Sequence, residues 1–122
     1  MMFKKPIYWR SQEYLDFIDS KQCLICPKQA THHHEPLGMS GTSIKAPDSH
    51  CVPLCEEHHI PGVHAAPKSF WIEHDIDPKA AIIHLIFEYI EKKGFDLPDL
   101  DEDLTQMDVI KLLTEYMDIK GV

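Results

Sequence analysis

Two stretches decide how this chain reads: Cys23-Leu-Ile-Cys26-Pro-Lys-Gln-Ala-Thr-His32-His33-His34, and Cys51-Val-Pro-Leu-Cys55-Glu-Glu-His58-His59-Ile-Pro-Gly-Val-His64. Together they hold all four cysteines and six of the nine histidines, and His50 directly precedes the second. Thiolate and imidazole are the usual ligands of zinc and its neighbours. Cys23 and Cys26 are spaced as a metal knuckle. Cys55 and His58, three residues apart at the start of a helix, can face one point. These four ligands complete a closed tetrahedral Cys3His zinc site. A knuckle followed by a helix start is a treble-clef arrangement, so the fold class expected is α+β, with flanking N- and C-terminal helices.

The window holds more ligands than one tetrahedral ion uses. On a strand, neighbouring side chains point to opposite faces, so within the His32-His33-His34 run one histidine can bind metal while the next faces a substrate or water. His59 lies about 100° around the helix from His58. With His32 and with His64 beyond Pro61-Gly62, it can form an open three-histidine site. Cys51 reads as a small buried strand residue, and His34 as strand surface.

Outward from this window, Ser11 caps a helix over residues 12–20 with Tyr14, Leu15 and Ile18 on one face. Residues 37–49 read as a loop, and Cys51-Val-Pro-Leu54 as a second strand. A short helix carries Phe70 and Trp71 into the core. Asp77-Pro78 starts a longer helix with an apolar stripe at Ile82, Ile83, Ile86, Phe87 and Ile90. Residues 96–103 are an acidic linker before a last helix over 104–118. His74 and His84 read as solvated, His84 pairing with Glu88. The division expected is a metal-binding core with its N-terminal helix over 1–78 and an acidic helical extension over 79–122, packed on the core or on a partner.

The 122 residues carry a net charge of −8. Residues 1–70 hold seven basic and seven acidic residues, whereas 71–122 hold five and thirteen. The acidity therefore belongs to the helical part and does not exclude nucleic acid as a partner of the first part. No apolar run approaches the ~18 residues of a membrane span, and the N-terminus lacks the apolar stretch of a secretory signal. A reduced, cytoplasmic protein is expected, its cysteines holding metal rather than forming disulfides.

The ordered set Cys23-x2-Cys26, His32-His33, Lys45-x2-Asp48, Val52-Pro53-Leu54-Cys55-x2-His58-His59 and His64 resembles the HNH endonucleases. It is most similar to the phage and prophage branch related to the recombination-enhancement nuclease Ref. Phe70-Trp71 and Ile76-Asp77-Pro78 extend the likeness, which covers about residues 10–95. The resemblance implies a ββα-metal fold and DNA phosphodiester hydrolysis. His32, His59 and His64 would hold a catalytic divalent ion (Zn2+, Ni2+, Mn2+ or Mg2+, the all-imidazole set favouring the first two). His33 would be the general base, and Cys23, Cys26, Cys55 and His58 would keep the structural zinc. DNA would be the partner, and cutting both strands would call for a homodimer or successive nicks. Lys45 is a candidate phosphate contact.

The chain departs from the family pattern in three ways. It contains no asparagine, so Asp48 or His50 would have to orient the loop and base. His64 follows His59 by five residues rather than four. The triple histidine admits two registers, His32-His33 or His33-His34, and spacing back from Lys45 favours the first. A second class of function also stands: a non-catalytic treble-clef zinc module that binds nucleic acid or a protein partner.

Overall fold

The computed structural model describes residues 9–37 and 46–122. It is an α+β arrangement: α1 (Gln12–Asp19), β1 (Thr31–His34), a 3-10 turn (Asp48–His50), β2 (Cys51–Leu54), a helical segment kinked at Ile60 (His58–Val63), α2 (Pro67–Glu73), α3 (Pro78–Lys92) and α4 (Gln106–Lys120). Lys45 lies outside the described residues. Among the described residues, no helix is long and apolar enough to cross a membrane.

The helix starts follow local chemistry. The Ser11 hydroxyl accepts from the Tyr14 N–H, and the Asp77 carboxylate accepts from the Lys79 N–H ahead of Pro78. Thr105 and Asp108 form a reciprocal capping box. Each cap satisfies donors that the first helical turn leaves open. Gly121 ends α4 with φ of 68°, a left-handed geometry that favours glycine.

β1 and β2 form an antiparallel hairpin pairing Thr31 with Leu54, His32 with Pro53, His33 with Val52 and His34 with Cys51. The Cys23–Lys28 knuckle closes on itself through Cys23 N–H to the Lys28 carbonyl (2.9 Å), and Leu24 N–H donates to the Pro53 carbonyl (3.0 Å). Pro53 has no N–H to offer a ladder, yet its carbonyl ties β2 to the knuckle.

One apolar core joins the elements of the described residues. Tyr14, Phe17 and Ile18 of α1 meet Val52 and Leu54 of β2, Ile82, Ile86 and Ile90 of α3, and Ile110, Leu113 and Met117 of α4. The helices of the expected extension over 79–122 thus bury their apolar faces in the same core as the hairpin. α4 also reaches the turn before β2, where Thr114 Oγ1 lies 2.7 Å from Ser49 Oγ and 2.7 Å from the Ile110 carbonyl. A carbonyl only accepts and the Thr114 hydroxyl has one proton, so Thr114 donates to the Ile110 carbonyl and accepts from the Ser49 hydroxyl. Glu88, expected beside His84, instead forms an ion pair with Lys21.

Candidate metal centre

The first group is Cys23, Cys26, Cys55 and His58, whose ligand atoms all lie within 4.8 Å of one another. Cys26 Sγ is 3.6 Å from Cys55 Sγ, and His58 Nδ1 is 3.2 Å from Cys55 Sγ and 3.6 Å from Cys23 Sγ. A tetrahedral zinc with ordinary bond lengths has S···S edges of about 3.8 Å and S···N edges of about 3.6 Å. The four atoms already stand close to that spacing, so the donor set fits a closed zinc ion. Burial pushes the Cys23 thiol up, but N–H donors of Cys55, Ile25 and Cys26 outweigh it and bring the pKa down to about 7. That favours the thiolate, the ligating form.

The second group is His33, His59 and His64, again within 4.8 Å. Ring centroids are 4.9 Å apart for His33–His59, 5.3 Å for His33–His64 and 4.9 Å for His59–His64. Burial, then the neighbouring imidazoles of His33 and His64, lower the His59 pKa to about 4. The ring stays neutral at physiological pH, as a metal ligand requires.

The extra residue between His59 and His64 is absorbed locally. On a regular α-helix a residue five positions on lies about 140° around the axis. Here the helical path is broken by a kink at Ile60, whose backbone is extended (φ −134°, ψ 115°), and this returns His64 to the side of His59. Gly62 makes that path possible, since a Cβ there would stand 3.1 Å from the Glu57 carbonyl oxygen.

His32, expected in this trio, is not brought to it. Its Nδ1 lies 2.8 Å from Asp19 Oδ1 at the end of α1. The reason is strand alternation: His32 and His34 share one face, their rings 5.7 Å apart, while His33 alone turns toward His59 and His64. The same alternation groups His33, expected as the base, with His59 and His64 and puts His34, read as strand surface, beside Asp48. His34 Nε2 lies 2.8 Å from Asp48 Oδ1.

Asp48 is well held. It is 3% exposed, its N–H donates to the Trp9 carbonyl, and its Oδ2 accepts from Ser11 N–H at 2.8 Å. His50 serves the hairpin through its backbone, its carbonyl accepting from Glu35 N–H at 3.2 Å. Cys51 falls near His34 and Asp48, with one atom of each residue within 4.8 Å, as the His34–Cys51 pairing dictates.

No motif in the sequence marks Glu35. It is 4% exposed. Its Oε2 accepts from Trp71 Nε1–H at 2.9 Å, and its Oε1 is 3.6 Å from His33 Nε2. Two-residue alternation puts Glu35 on the face of His33, and that was the available signal.

The fold and its side-chain groups thus define a class: a small α+β domain with cysteine and histidine clusters suited to hold metal ions such as zinc. Residues 1–90 match the family model described as "Protein of unknown function (DUF968)". The match covers most of the chain, which therefore belongs to that family. Among curated proteins and among solved structures, nothing matches it.

Proposed function

We propose that this chain is a metal-dependent endonuclease of the HNH, ββα-metal type that hydrolyses DNA phosphodiester bonds. The observation that carries the reading is the division of labour along one strand: His33 joins His59 and His64, while the next residue, His34, is held by a buried carboxylate. A purely structural zinc module has no use for these four histidines once Cys23, Cys26, Cys55 and His58 are filled.

In this reading Asp48 accepts the Nε2–H of His34, which makes Nδ1 the basic nitrogen. Nδ1 takes a proton from water as the water oxygen bonds to phosphorus and the bond to the 3′ oxygen breaks. The imidazolium formed is stabilised by the Asp48 carboxylate, and its proton passes on to solvent or the leaving oxygen. A divalent ion held by His33, His59 and His64 would supply Lewis-acid stabilisation of the charge on the phosphate and leaving group. The Cys3His set would fix the start of the helical segment that carries His58 and His59.

The test is nicking of supercoiled plasmid by purified protein. Cleavage is expected with added Zn2+, Ni2+, Mn2+ or Mg2+, and its loss on chelation and in His33→Ala. Cleavage by His33→Ala at the wild-type rate would refute the reading. The concentration of acidic residues in 71–122 favours a second reading, a zinc module that binds a protein or nucleic acid without cutting it. Binding without cleavage under every metal tested would select that one.

A further inference from the structure

Beyond the two ligand groups, one buried carboxylate has no role in the chemistry described above. Glu35 sits between His33 and Trp71, and each of its oxygens faces one ring nitrogen. Oε2 receives the Trp71 indole N–H at 2.9 Å. Oε1 faces His33 Nε2 at 3.6 Å, just beyond hydrogen-bond reach. His33 is 4% exposed, and its Nε2 has no hydrogen-bond partner among the described residues. A buried ring nitrogen left unpaired is costly, and Glu35 Oε1 is the acceptor that faces it.

We infer that Glu35 is a positioning residue for the three-histidine centre: it accepts the Nε2 proton of His33 and so presents Nδ1 as the metal ligand. Metal-bound histidines commonly give their other N–H to a carboxylate or carbonyl, which fixes the tautomer and the ring plane. Trp71 acts one step further out. An indole N–H only donates, so it commits Oε2 and leaves Oε1 for His33. The inference rests on the reading of His33, His59 and His64 as a metal centre.

The donor arithmetic makes it testable. Glutamine at 35 has a single acceptor oxygen. Trp71 N–H claims it, so the amide NH2 faces His33 Nε2 and drives the proton to Nδ1, the wrong nitrogen for ligation. Removing the indole donor as well, in Glu35→Gln/Trp71→Phe, frees the glutamine oxygen to turn toward His33.

The experiment uses the full chain with its first zinc equivalent in place and adds Zn2+ or Co2+. Affinity for the second equivalent is measured by competition and by cobalt absorption. Long-range 1H–15N correlation reads the His33 tautomer in the wild type. The expected result is a proton on Nε2 and ligation through Nδ1. Glu35→Gln should then weaken the second ion roughly 10- to 100-fold and leave the first in place, with most of that loss recovered in the double variant. Ligation through Nε2 in the wild type, or undiminished affinity in Glu35→Gln, would overturn the role of Glu35 alone. An unrecovered double variant would overturn the role of Trp71. A wild type that stops at one equivalent would overturn the metal centre and this inference with it.

Discussion

His34 Nε2 stands 2.8 Å from Asp48 Oδ1, across a gap of fourteen residues. Asp48 is itself held at the start of α1, its N–H donating to the Trp9 carbonyl and its Oδ2 accepting from the Ser11 N–H. His33, one residue earlier, points the other way and meets His59 and His64. A strand residue and its neighbour thus supply two different chemical environments at one place.

That relationship separates the two registers of the triple histidine. If His34 is the base, His34→Ala should lower plasmid nicking roughly 100- to 10,000-fold while both metal equivalents stay bound. His32→Ala should retain most activity, since His32 pairs with Asp19. Equal losses in the two variants would show that the face shared by His32 and His34 acts in some other way.

The two ligand groups should separate in a metal count. Cys26→Ser should lose the tightly held zinc and lower the melting temperature, because binding of a structural ion is folding free energy. His64→Ala should keep that zinc and its melting temperature and lose only the second ion. Atomic emission and thermal melting of the purified variants check both. Loss of both ions in His64→Ala would mean that the centres are not independent.

Gly62 is where a small change should reach the site through backbone. A Cβ there meets the Glu57 carbonyl oxygen at 3.1 Å and Phe70 Cε1 at 3.4 Å. The carbonyl cannot rotate away as a side chain does. Gly62→Ala should therefore cost about 1–3 kcal/mol in denaturant unfolding and weaken the second ion by moving His64. Unchanged stability and affinity would show that the kinked segment has slack.

His50 gives the fold a pH dependence of known sign. Burial, followed by the nearby charge of His34, lowers its pKa from 6.5 to about 4. In the window between those values the unfolded chain binds a proton that the folded chain refuses. Stability from this group is full above pH 6.5 and falls as pH drops toward 4. Chemical denaturation from pH 7 to 4 should therefore show a shallower decline for His50→Gln than for the wild type. Parallel curves would place the acid sensitivity elsewhere.

The short-range features were legible in the chain itself. Cys-x2-Cys and Cys-x2-His put ligands within one knuckle and one helical turn, so Cys23, Cys26, Cys55 and His58 are grouped by local geometry once the hairpin joins them. Helix starts at Ser11 and Asp77 follow from side chains that bond the first turn. Apolar spacing located the core faces of α1 and α3, although Leu85 and Tyr89 are buried where Ile83 and Phe87 are only partly so.

Tertiary structure decided what depends on faces. Three consecutive histidines alternate whatever the register, and only packing says which face meets the helical segment and which meets α1. That choice gives His33 to His59 and His64, and His34 to Asp48. It also brings Trp71 to Glu35 and Thr114 to Ser49, pairs 36 and 65 residues apart. Local spacing carries angles along one helix or strand. It carries nothing about which buried surface a face is pressed against, because that is settled by the burial of the whole core at once.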